Sequence, residues 1–154
     1  MAEKKIIKVV EDLTKELFEK MGVEVTLKVE EDKKNETVLV NIETEDSAGL
    51  LIGSRGETIM AIQTALGMMV KQATGEWARI LVDIGDWREK KEGRLKDLAE
   101  QAAERAVQTG EGQRLYNLSA ADRRVVHLHL SSDDSVETES AGEGRDRYLI
   151  VKPK

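Results

Sequence analysis

Apolar and polar positions recur along this chain with two different periods, and each change of period marks an element. Ile6, Val10, Leu13 and Leu17, with Ile7 and Phe18 beside them, follow helical spacing. This predicts a one-sided helix from about Glu3 to Met21, stopped by Gly22. Val23, Val25, Leu27 and Val29 then alternate with polar residues, Glu30 to Glu36 with Asn35 makes a polar turn, and Val38, Val40 and Ile42 alternate again. Two strands joined by a loop are expected. A short helix from Ser47 to Ile52, capped by Asp46 or Ser47, runs into Gly53-Ser54-Arg55-Gly56, and a longer helix carrying Ile59, Ile62, Leu66 and Met69 ends near Thr74-Gly75. Gly67 inside it costs about 1 kcal/mol relative to Ala and is read as a point of close packing. Met60, Met68 and Met69 are read as core filling. In a third strand, Glu76 to Ile84, the residues Ala78, Ile80, Val82 and Ile84 share one face, and Trp77, Arg79, Leu81 and Asp83 the other.

Gly85-Asp86 is the expected domain boundary, because a new helical pattern follows over 87–109. Its stripe of Leu95, Leu98, Ala99, Ala102, Ala103, Ala106 and Val107 is apolar and mostly small, which suits a packing helix. Gly110-Glu111-Gly112 breaks it, and a short extended piece surrounds Leu115. Ser119-Ala120-Ala121-Asp122 resembles a capping box with Asp in place of Glu or Gln, opening a helix over 122–130. Val136 to Ser140 and Tyr148 to Val151 read as strands on either side of the Gly142-Glu143-Gly144 turn. The fold class is α+β in two parts, 1–85 and 86–154.

Composition narrows the function. With 154 residues, 40% of them hydrophobic, there is material for one medium domain or two small ones. The absence of cysteine excludes a disulfide framework and thiolate metal sites. No apolar run approaches the ~20 residues of a membrane span, and the N-terminus has no signal-peptide core, so a cytosolic protein is expected. The net charge of −6 opposes binding to nucleic acid. However, residues 1–46 hold 13 acidic and 8 basic side chains, while residues 47–109 hold 9 of each. The acidity therefore lies mostly ahead of the Gly-x-x-Gly turn.

That turn is the principal chemical candidate. Gly53 and Gly56 can adopt backbone angles that other residues resist and leave no side chain to hold a ligand off. The following helix begins with unpaired N–H groups and a positive dipole end. With Ser54 as a hydroxyl donor and Arg55 as its one cation, the turn suits a phosphate; the alternative is a tight helix-helix turn carrying a solvated arginine. A second candidate is the pair Arg123 and His127, four apart on one helical face and able to grip a phosphate or a phosphate and a base. The alternative there is a surface Arg beside a satisfied His. Arg124 points about 100° away and is expected to pack or to pair with Glu137 or Glu139. His127 and His129 diverge on the helix and form no metal pair. No nucleophile has a positioned base, and the turn lacks the Gly-Lys-Ser/Thr ending of a P-loop. No cofactor and no catalytic residue are expected.

Helix-strand-strand-helix-GSRG-helix-strand is the order of a type II KH domain, and the second half resembles the small single-stranded nucleic-acid-binding domain named for its Arg-x-x-x-His motif, here Arg123 to His127. Joined by Val82-Asp83-Ile84-Gly85-Asp86-Trp87-Arg88-Glu89-Lys90-Lys91-Glu92 and closed by Val136 to Glu143, the two are similar to the bacterial Jag or KhpB (SpoIIIJ-associated) family. The resemblance covers nearly the whole chain. It implies a non-enzymatic RNA-binding protein, a post-transcriptional regulator or RNA chaperone. Gly53, Ser54, Arg55 and Gly56 would hold a single strand of RNA, or of DNA, and Ile52 and Ile59 would line a groove for its bases. Arg123 and His127 would add a second contact. It also implies a second, smaller KH protein as partner. Two departures stand out: Asn117-Leu118 where Pro-Met is expected, and no match to the separate N-terminal domain that many members carry. The rival readings are a protein-interaction adaptor, favoured by the acidic balance, and a phosphate-acting enzyme using His127.

Overall fold

The computed structural model describes residues 2–154, with side chains from Lys5 onward. The chain divides into two compact units, one running to Arg88 and the other from Glu89 to Lys154.

In the first unit, α1 (Ala2–Met21), β1 (Thr26–Asp32), β2 (Thr37–Glu43), α2 (Ala48–Ile52), α3 (Glu57–Thr74) and β3 (Arg79–Ile84) follow one another. The sheet has the order β1-β2-β3, with β1 antiparallel and β3 parallel to β2. Val10 and Phe18 of α1 and Ile59, Ile62, Leu66 and Val70 of α3 are buried with Val38, Val40, Ile42, Ile80, Val82 and Ile84 of the sheet. Alternation therefore set which strand face meets the helices, and the 3.6-residue period set which helix face answers.

The structure corrects four details. β1 starts at Thr26 rather than Val23, because the Val23 N–H is used at the end of α1, where it donates to the Phe18 carbonyl at 3.1 Å. The strand then continues to Asp32, whose carboxylate accepts from the backbone N–H groups of Lys34 and Asn35 and so forms the turn. Ser47 is the N-cap of α2 but makes no side-chain capping bond. Gly67 marks no close packing, since a Cβ there would meet only Trp77, at 4.0 Å. Met60 and Met68 are exposed and Met69 is only partly buried, because the β-branched and Leu side chains already fill the inner face of α3.

The second unit takes in most of α4 (Trp87–Thr109), then β4 (Gln113–Leu115), α5 (Ala120–Leu130), β5 (Val136–Ala141) and β6 (Tyr148–Pro153). Its sheet is antiparallel, in the order β4-β6-β5. Leu95, Ala99, Ala102, Ala103 and Ala106 of α4 are buried with Val126 and Leu130 of α5 and Val136, Leu149 and Val151 of the sheet. Leu98 and Val107, expected in the same stripe, are exposed. Alanine lets α4 approach closely along a narrower face than seven apolar positions suggest. Among the described residues no helix is long and apolar enough to cross a membrane.

Candidate nucleic-acid interface

Between α2 and α3 the backbone turns on two glycines, each required by a different neighbour. Gly53 has φ 71° and ψ −175°, a region essentially confined to glycine. A Cβ on it would lie 2.2 Å from Thr58 Oγ1. Gly56 has φ 80°, is buried, and a Cβ there would lie 2.2 Å from a ring carbon of Trp87. Ser54 to Gly56 form a single 3₁₀ turn in which Arg55 is itself left-handed, with φ 55° and ψ 23°. Ser54 and Arg55 are exposed, and Arg55 has no ion-pair or side-chain hydrogen-bond partner among the described residues. Gly56 is the N-cap of α3 and offers its first turn no side-chain acceptor. The turn thus presents an unpaired cation and a hydroxyl beside a helix start, and sets one acid, Glu57, next to them.

Of the two isoleucines expected to line a groove, Ile52 is partly buried against the core and Ile59 is wholly buried. Ile59 is corrected from a base contact to a core residue: it anchors α3 under the turn and meets no ligand.

The segment after β3 supports this site, and no local sequence pattern marks it as doing so. Trp87 is packed on the core of the first unit and closes over Gly56. Arg88 Nε donates to the Val82 carbonyl and Arg88 Nη2 to Gln63 Oε1, both at 3.0 Å, while the Val82 N–H donates to the same Gln63 oxygen at 3.0 Å. Since β3 pairs only with β2 among the described residues, these side chains satisfy its outer edge. Burial holds the Arg88 pKa below the usual arginine value, against the pull of Asp83. The glycine spacing could have pointed to a large neighbour, but only the fold says that it is Trp87.

On the second unit, Ser119 Oγ accepts from the Asp122 N–H at 3.1 Å, and Asp122 Oδ2 accepts from the Ser119 N–H at 3.2 Å, a complete capping box. Burial raises the Asp122 pKa, but Lys91, at 2.9 Å, and the Ser119 hydrogen bonds outweigh it and hold the carboxyl below the usual aspartate value. The helix so fixed projects Arg123, Arg124 and His127 into a cavity of about 630 Å³ that Thr138, Ser140 and Arg147 also line. Arg123 Nη1 donates to the Leu118 carbonyl at 2.7 Å, which fixes the guanidinium and leaves further donors. His127 Nδ1 is hydrogen-bonded to Thr138 Oγ1 at 2.5 Å, and Arg147 donates to the Gly142 carbonyl at 3.0 Å.

Arg124 pairs with neither Glu137 nor Glu139. Glu139 is taken by Lys152, and Arg124 stands exposed at the cavity. His129 lies apart, paired with Glu100 at 3.0 Å. The cavity therefore collects three guanidinium groups, of which the sequence pattern singled out one. Arg147 comes from the β5–β6 turn, and only the pairing of those strands brings it near α5. Asn117 has φ 59°, which proline cannot adopt, so this chain reaches α5 by a turn that the expected Pro-Met would not allow.

A family model for the KhpA/KhpB KH domain matches residues 7–84, and a model for the domain named for its Arg-x-x-x-His motif matches residues 93–153. The chain belongs to the KhpA/KhpB KH family. Its α-β-β-α-α-β unit is the KH domain, and the unit carrying Arg123 and His127 is the Arg-x-x-x-His domain. The chain is similar to RNA-binding protein KhpB of Clostridium symbiosum, with 29% identity over 143 residues, which are 93% of this chain and 64% of that one. It is similar to RNA-binding protein KhpB of Bacillus subtilis, with 32% identity over 128 residues, 82% of this chain and 60% of that one. The protein of the same name in Lactiplantibacillus plantarum is 30% identical over 127 residues, 82% of this chain and 39% of that one. The chain spans about three-fifths of the length of the first two of these relatives.

Proposed function

We propose that this chain binds single-stranded RNA without catalysing a reaction, and acts as a post-transcriptional regulator or RNA chaperone. The observation that carries this reading is the exposed Ser54-Arg55 pair, held between two obligatory glycines at the start of α3. Gly53 to Gly56 would hold the RNA backbone, as KH loops do across about four nucleotides, with partly buried Ile52 beside the bases. Arg123 and His127, joined by Arg124 and Arg147, would hold a second phosphate or base. Two modules on one strand raise affinity through effective concentration. The relatives' name, RNA-binding protein, supports the same ligand. The division into a KH module over 1–85 and an Arg-x-x-x-His module over 86–154, a cytosolic setting, and a second, smaller KH protein as partner are parts of the same proposal, supported by the family resemblance.

The test is a fluorescence-anisotropy titration of short single-stranded RNAs at two salt concentrations. It compares wild type, a Ser54→Asp/Arg55→Asp variant, and an Arg123→Ala/His127→Ala variant. Binding that weakens with salt, is mostly lost in the first variant and is reduced in the second is expected. A folded wild type that binds no RNA would leave the adaptor reading, which the net charge of −6 favours.

A further inference from the structure

The sheet of the second unit has a face that the cavity does not use. Leu149 and Val151 of β6 look into the core, so Tyr148, Ile150 and Lys152 lie on the opposite side. β4 pairs Arg114 with Ile150 and Leu115 with Leu149. Carried one residue further, that register sets Tyr116 across from Tyr148. Their ring centroids are 5.2 Å apart, with the planes tilted by 43°. The Arg114 guanidinium carbon stands 5.7 Å from the Tyr148 ring centre, and its hydrogen bond to Tyr116 raises the arginine pKa further.

The surroundings leave this cluster open and its charge uncompensated. The β5 neighbour of Tyr148 is Ala141, the closest acid along that face, Glu139, is paired with Lys152, and Arg114 has no carboxylate partner among the described residues. Tyr116 is 54% exposed. The chain has only five aromatic side chains, and this face gathers two of them around an unneutralised arginine. A purely apolar partner would bury that charge unpaired, and a simple anion would leave the rings unused. A nucleotide supplies both a π face and a phosphate.

We infer that Tyr116, Tyr148 and Arg114 form a base-stacking site on the open face of the β4-β6-β5 sheet, for a nucleotide of single-stranded RNA whose base lies on Tyr116 and whose phosphate meets Arg114. This rests on the RNA-binding reading above and adds to it a contact on the sheet face opposite Arg123 and His127. The chain itself marks a path between the two, since Arg147 lines the cavity and the next residue, Tyr148, lies on the other face.

The experiment is the same RNA titration at low salt with Tyr116→Ala, Tyr116→Phe and Arg114→Gln. Tyr116→Ala is expected to bind about tenfold more weakly, and Tyr116→Phe within about twofold of wild type, since stacking needs the ring and not the hydroxyl. Arg114→Gln is expected to weaken binding and to lower the salt slope by about one. A Tyr116→Ala variant that binds like wild type, while Ser54→Asp/Arg55→Asp does not, overturns the site and leaves the RNA reading intact. Failure of wild type to bind RNA overturns both. If Tyr116→Ala lowers thermal stability, the tyrosine ring resonances of wild type decide: they shift as RNA is added, or the site is wrong.

Discussion

The indole of Trp87 occupies the space that a side chain on Gly56 would need, 2.2 Å from the position of its Cβ. The second glycine of the turn is therefore fixed twice, by its φ of 80° and by a tryptophan 31 positions along the sequence, which no local pattern reveals.

Gly56→Ala is expected to destabilise the KH domain by about 2–3 kcal/mol, combining left-handed strain with displacement of a packed ring. Gly53→Ala is expected to cost a similar amount through Thr58. Chemical denaturation checks both, and Trp87 emission should change in Gly56→Ala and stay as in wild type in Gly53→Ala.

Glu57 sets a carboxylate on the first turn of α3, beside the one cation of the loop. A helix N-terminus stabilises its own acid, so removing the charge costs about 0.3–1 kcal/mol of stability. The same charge repels a phosphate held at Ser54 and Arg55. Glu57→Gln is expected to tighten RNA binding severalfold at low salt, with the gain shrinking as salt screens the pair. Anisotropy across a salt series measures it.

Asp122 contributes to the stability of the second unit in a pH-dependent way. Burial works against its ionisation, but Lys91 and Ser119 prevail, so its folded pKa lies below that of the unfolded chain. Its contribution is then complete above the unfolded value, about 3.9, and is lost as the pH falls through the folded value. Asp122→Asn and Ser119→Ala are each expected to cost about 1 kcal/mol near neutral pH. For Asp122→Asn the difference from wild type should shrink below about pH 4, as followed by denaturation at neutral pH and at about pH 3.

How much of this was legible in the sequence depended on whether the cause was local. Alternation in β2 and β3 and the 3.6-residue period in α1 and α3 predict the KH core, and Ser119 with Asp122 predicts the cap of α5, because each pattern reports on a single element. Val23 belongs to the end of α1 because one N–H can serve only one acceptor, and periodicity does not say which. Ile59 satisfies both a helical core pattern and a place beside the loop, and only the packed structure buries it. Arg147 and the Tyr116–Tyr148 pair depend on strand register, while Trp87 and Arg88 depend on where the chain returns after β3. These are long-range facts, and they carry most of what the site adds to its motif.

The most direct measurement is an amide-resolved NMR titration of the protein with a short single-stranded RNA. The account predicts progressive shifts of the backbone N–H signals of Gly53, Ser54, Arg55, Gly56 and Glu57, lost in Ser54→Asp/Arg55→Asp. RNA binding that leaves those five signals unmoved would contradict it.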